Sequence, residues 1–215
     1  NITLDVNGRT INSEVASGEK FRPHCIVEIE PGGSLNLVDE SLGAGGKIIC
    51  ITREEGSSFL LNSGNLNMNN INVENFIYGI QDGSTRSGGT AGTYGTISNC
   101  KLDTGGQDAM DFCEGEVDTI ENCEILTKGY GIIIGHDYQG GSINLIENCT
   151  LENSDLNTTP LVFVKKSGAI ETIKGCNIIH HDSSAISVDK ATGHIGAIDG
   201  GFYIGGGSYG SAITS

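Results

Sequence analysis

The sequence predicts an all-β chain, a right-handed parallel β-helix with roughly 22–30 residues per coil, and three observations carry that expectation. A short motif recurs at an irregular but confined interval. Each copy is followed by a second short apolar run. Glycine is abundant, 33 of 215 residues, while the hydrophobic fraction is only 37%, which suits a stack of thin layers better than one thick core.

The recurring motif occupies residues 95–102, 118–125, 144–151, 171–178 and 197–203, with an earlier relative at 66–71. Aligning the copies superposes Cys100, Cys123, Cys149, Cys176 and Gly201, and places Ile71 one step before Cys100. Cys25 and Cys50 show a similar spacing. The second runs lie at 77–80, 109–112, 132–134, 161–164, 185–188 and 212–213. Two or three short strands per turn follow, because strands this short bury a face and satisfy their backbone groups only by pairing with the next coil.

Within the motif, Ile97, Cys100 and Leu102 share one face only if the chain bends near Ser98 and Asn99. Asparagine tolerates left-handed backbone, so Asn99, Asn122 and Asn148 are expected at one corner of successive coils, with Gly175 and Gly200 in their place later on. The stacked cysteines recur once per coil, unlike the close pairs of structural zinc sites, and read as buried free thiols. Seven cysteines cannot all pair within the chain.

Composition excludes some functions. A formal charge of −15, from 27 acidic and 12 basic residues, repels nucleic acid and anionic lipid. No stretch is long and apolar enough to form a transmembrane helix. The whole of 1–215 reads as a single domain, with N-terminal coils over 1–50 and further coils over 51–215, a stack open to continuation in a longer parent protein.

Residues 3–11, 29–39 and 45–48, with Pro31-Gly32-Gly33-Ser34-Leu35 and Gly45-Gly46-Lys47-Ile48 among them, resemble the opening coils of adhesin-like bacterial surface proteins with pectate-lyase-like β-helices. The likeness covers roughly the first 50 residues. It implies a secreted or cell-surface protein that binds a glycan or another surface partner. It transfers no catalytic residue.

The loops leaving the second run supply the candidate site: Gln81-Asp82, Cys113-Glu114, His136-Asp137, Lys165-Lys166 and Asp189-Lys190, expected as one exterior column. If the column is catalytic, Asp111, Asp137, Lys165 and Lys166 carry the chemistry. In a Ca²⁺-assisted polysaccharide lyase the carboxylates Asp111, Glu114 and Asp137 hold the cation and a lysine removes the proton. In a glycoside hydrolase, Asp111 and Asp137 flank the bond. If it is a binding face, Glu114, His136, Tyr138, Asp189 and Lys190 contact the ligand. No metal ligand set and no required cofactor are expected outside that Ca²⁺ reading. A mixed-sign column is also how an exposed sheet stays soluble, so the first reading is a noncatalytic glycan or surface-partner binder. The rivals are a carbohydrate-active enzyme and a structural stalk.

Tyr130, Tyr138, Tyr203 and Tyr209 are the tyrosines that could form a sugar-stacking platform. Adjacent His180 and His181 read as a turn pair, since neighbours on a strand face opposite ways. The polar excursion at 84–94 is either a plain flexible loop or a shaper of the binding face.

Overall fold

Three parallel sheets of eight strands each form a β-solenoid, seen in a computed structural model that describes residues 1–14, 24–41, 45–52, 57–85, 88–135, 140–153, 155, 158–189, 192–206 and 212–214. Sheet A comprises β1 (Ile2–Asp5), β4 (Ser34–Val38), β7 (Asn65–Asn69), β10 (Thr93–Ser98), β13 (Glu116–Glu121), β16 (Ser142–Glu147), β19 (Ala169–Lys174) and β22 (His194–Asp199). Sheet B comprises β2 (Thr10–Glu14), β5 (Gly46–Thr52), β8 (Ile71–Glu74), β11 (Lys101–Thr104), β14 (Glu124–Thr127), β17 (Thr150–Asn153), β20 (Asn177–His180) and β23 (Phe202–Gly205). Sheet C comprises β3 (His24–Ile29), β6 (Ser57–Asn62), β9 (Tyr78–Asp82), β12 (Met110–Asp111), β15 (Ile132–Ile134), β18 (Val162–Val164), β21 (Ile186–Val188) and β24 (Ile213–Thr214). The chain visits A, B and C in turn, and every strand pairs with its counterpart one coil away.

The recurring motif is therefore two strands and the corner between them. Asn70, Asn99, Asn122 and Asn148 hold φ between 53° and 59°, and Gly175 and Gly200 take the same corner at 62° and 64°. That is the exchange expected where left-handed backbone is the only requirement. Each corner is tied to the next coil through its backbone: Asn99 N–H donates to Glu121 O at 3.0 Å, Asn122 to Glu147 O at 3.0 Å and Asn148 to Lys174 O at 2.9 Å.

The aligned cysteines do lie in one column: β11, β14, β17, β20 and β23 pair in register, which places Ile71 and Gly201 at its two ends. All four column thiols are free and at most 2% exposed. Cys25 and Cys50 do not share a column, since one lies in sheet C and the other in sheet B. The coils are also less uniform than expected. Leu35 pairs with Ile2 and Leu66 with Leu35, so the first two coils take 33 and 31 residues, longer than the expected range. Counted along sheet A, later ones shorten to 23–29.

The corner from sheet B to sheet C is closed differently. Thr104, Thr127, Asn153 and His180 form an inward polar column, and each of the last three accepts a backbone N–H from the turn that follows. Thr127 Oγ1 takes Gly129 N at 3.1 Å, Asn153 Oδ1 takes Asp155 N at 2.8 Å, and His180 Nδ1 takes Asp182 N at 3.1 Å and Ser183 N at 2.9 Å. His181 faces outward, its Nε2 3.6 Å from Glu152, so the two histidines do point opposite ways. The His180 ring is fully buried, with Nε2 turned toward the Thr159 backbone but lacking a well-formed hydrogen bond. Burial pulls its pKa below the ordinary 6.5.

The unfolded chain thus binds a proton at a pH where the folded chain does not, and stability rises with pH through that window. The contribution is complete above about pH 6.5 and is lost as the pH falls below it toward the folded pKa. His180→Asn, which keeps an acceptor for the turn as Asn153 does, is expected to flatten this part of the profile. Urea midpoints at about pH 7.5, 6.5 and 5.5 test it, and parallel profiles for the two proteins would refute the assignment.

Candidate functional site

The corner leaving sheet C places the expected residues as follows. Asp111 ends β12, and its Oδ1 accepts Cys113 N at 3.2 Å. Glu114 follows in the turn, where its N–H donates to Ser84 Oγ at 3.1 Å. Lys165, Lys166 and Asp189 occupy later turns of the same corner, with Lys165 N bonded to Ile134 O and Asp189 N to Val164 O. Lys166 takes left-handed backbone, φ 47°. His136, Asp137, Tyr138 and Lys190 lie outside the described residues.

The register corrects the expected column at Gln81-Asp82. Gln81 pairs with Asp111, Asp111 with Ile133, and Ile133 with Phe163. Gln81-Asp82 is therefore equivalent to Asp111-Phe112 and not to Cys113-Glu114. Asp82 accordingly points inward, into the column continued by Phe112, and is fully buried.

Its carboxylate accepts Ser84 N at 3.0 Å, Ser84 Oγ, Gly92 N at 2.8 Å and Tyr94 Oη at 3.2 Å. It thereby pins both ends of the polar excursion that leaves β9, including a 3-10 turn at Gly83–Thr85. Burial raises the Asp82 pKa despite these donors. The same excursion reaches Glu114 through Ser84, so it borders the candidate site.

The outward column of sheet C is recessed. Leu61, Gln81, Asp111 and Ile133 are all buried although their strands turn them away from the core. Ser58 Oγ donates to Gln81 Oε1 at 2.7 Å within it. Beside it runs a second column from the turns that enter sheet C. Gly79 N bonds Asp108 O and Ala109 N bonds Tyr130 O, which sets Asp108 between Tyr78 and Tyr130 on successive coils.

Tyr78 Oη donates to Gln107 Oε1 at 2.7 Å. The Tyr130 ring stacks on Phe163 with centroids 5.6 Å apart and planes 23° apart, and Lys165 Nζ lies 5.2 Å from the centre of the Phe163 ring. Burial, followed by the Asp108 and Asp111 carboxylates, raises the Tyr130 hydroxyl pKa. Half-buried Tyr78, Tyr130, Phe163 and Lys165 form the reachable rim, and Asp108, Asp111 and Ile133 form the floor.

The expected column thus contributes Asp111 and Lys165 to one face. Asp111 is two strand spacings from Phe163, about 9.6 Å along the column, and Lys165 lies two residues further on. Tyr130 was an expected platform residue. Tyr78, Asp108 and Phe163 were not, and the one signal in the sequence was an aromatic or acidic residue, Tyr78, Asp108 or Tyr130, at or just before the start of the first three second runs. Tyr203 faces inward instead, in register with Ile178, and Tyr209 lies outside the described residues.

Among the described residues, no three His, Cys, Asp or Glu side chains converge to hold a metal ion. The third member of the expected Ca²⁺ set, Asp137, is outside them. Sheet A carries shallow grooves too, one lined by Thr3, Asn36, Asn67, Asn69, Thr96 and Ser98. Its amides already bond one another, Asn67 Nδ2 to Asn36 Oδ1 at 3.1 Å and Thr96 N to Asn67 Oδ1 at 3.0 Å, and it has no aromatic ring. Cross-coil ion pairs lie on the other two sheets: on sheet B Lys47 pairs with Glu74 and Lys101 with Glu124, each at 2.8 Å, and on sheet A Lys174 pairs with Glu147 at 2.6 Å. No protein-family model, curated protein or solved structure matches this chain.

Proposed function

We propose that this β-solenoid is a noncatalytic, adhesin-like binder of the cell surface or extracellular space that takes a glycan on the outer face of sheet C. The observation that carries the reading is the rim of Tyr78, Tyr130 and Phe163 over a floor that contains Asp108 and Asp111. Aromatic rings offer an apolar face to the C–H side of a sugar, while neighbouring carboxylates and amides bond its hydroxyls. The N-terminal resemblance supports the surface setting. Among the described residues no helix is long and apolar enough to cross a membrane.

Tyr130→Ala is expected to weaken binding by about tenfold or more, in line with roughly 1.4 kcal/mol for a lost stacking platform. Lys101→Ala, on the far sheet B face, is expected to leave binding unchanged. A panel of neutral and acidic polysaccharides, read by affinity electrophoresis, provides the comparison. If the wild type is retarded by none of them, the reading fails and a stalk role takes its place.

The buried Asp108 and Asp111 beside the same rim favour a second reading, a carbohydrate-active enzyme. New reducing ends or unsaturated products that disappear in Asp111→Asn would establish it.

A further inference from the structure

We propose that the inward column Cys100, Cys123, Cys149 and Cys176 binds thiophilic closed-shell cations that favour two collinear sulfur ligands, one ion held between two thiols on successive coils. This inference is independent of the glycan site. The four thiols are free, at most 2% exposed and in consecutive register. Each thiol donates to a carbonyl of its own corner, Cys100 to Ser98 O at 3.0 Å, Cys123 to Glu121 O at 3.3 Å, Cys149 to Glu147 O at 3.3 Å and Cys176 to Lys174 O at 3.4 Å, and across one coil Cys149 N–H donates to Cys176 Sγ at 3.4 Å.

Among the described residues no three such side chains converge, so the column offers sulfur in pairs, one thiol from each of two neighbouring coils. Spacing favours the pair. Neighbouring strands lie about 4.8 Å apart, and two metal–sulfur bonds of about 2.3 Å end to end span about 4.6 Å. Thiolate is the soft ligand such cations select.

Binding breaks two S–H bonds, forms two metal–sulfur bonds and releases two protons to solvent. With a divalent ion the product is neutral, which a dry core tolerates far better than a net charge. Each sulfur serves one ion, so the column holds at most two.

The test uses mercuric ion as probe, in a Cys25→Ser background that removes the partly exposed thiol, with native mass spectrometry after desalting. The parent is expected to retain two ions and to release two protons for each. Two double variants keep the same number of cysteines but differ in adjacency. Cys100→Ser with Cys123→Ser leaves Cys149 next to Cys176 and should retain one ion. Cys100→Ser with Cys149→Ser leaves Cys123 and Cys176 apart and should retain none. Alanine pairs repeat the comparison if a serine pair fails to fold. Equal retention by the two doubles, or none by the parent, overturns the proposal.

Discussion

Replacing Asp82 by alanine is expected to lower the unfolding free energy by about 3–5 kcal/mol, because several buried donors lose their acceptor at about 1–3 kcal/mol each. The backbone N–H groups of Ser84 and Gly92 and the Tyr94 hydroxyl all end on this one carboxylate. Asp82→Asn is the sharper probe. One coil earlier the same position is Asn62, whose Oδ1 accepts Gly64 N while its Nδ2 donates to Thr93 O. At Asp82 the second oxygen meets Gly92 N, so an amide there would oppose donor to donor. The asparagine variant is expected to lose about 1–3 kcal/mol at neutral pH.

Its pH profile carries a separate signature. Because burial raises the Asp82 pKa, the folded chain holds this proton more firmly than the unfolded one. The resulting stability is present below the ordinary value of 3.8 and is lost as pH rises through the folded pKa. Asp82→Asn removes that decline. Limited proteolysis should cut within residues 83–92 faster in the alanine variant than in the parent, and equal rates would show that the carboxylate does not anchor the excursion.

Phe112→Ala is expected to cost about 3–5 kcal/mol, read as a lowered urea midpoint. Phe112 is fully buried in the inward column just beyond Asp82, and its ring meets Tyr94 edge to face, centroids 4.8 Å apart at 73°. The coil is too thin for neighbouring layers to close the void, because each layer is one strand spacing deep and its backbone is fixed by hydrogen bonds on both sides. A double-mutant cycle with Tyr94→Leu should return a coupling of about 0.5–1.5 kcal/mol for the ring pair. A cost below about 1 kcal/mol for Phe112→Ala would mean that the column repacks.

The sequence by itself determined what depends on local conformation and on period. Asn99, Asn122 and Asn148, replaced by Gly175 and Gly200, announced a left-handed corner, because few residues accept that backbone. The apolar runs announced parallel stacking, and the once-per-coil cysteines announced an inward column, because alternation and spacing are visible in one dimension.

Tertiary structure alone decided which residues meet across coils. Turn lengths differ from coil to coil, so Asp82 falls on the last, inward-facing position of β9 where it was expected in an exterior turn, and the first two coils run beyond the expected range. The sheltering of Asp111 and Ile133, and the meeting of Tyr78, Asp108, Tyr130 and Phe163 on one face, likewise follow from register. Register is settled by hydrogen bonds between strands some 20–30 residues apart, and no local pattern specifies them.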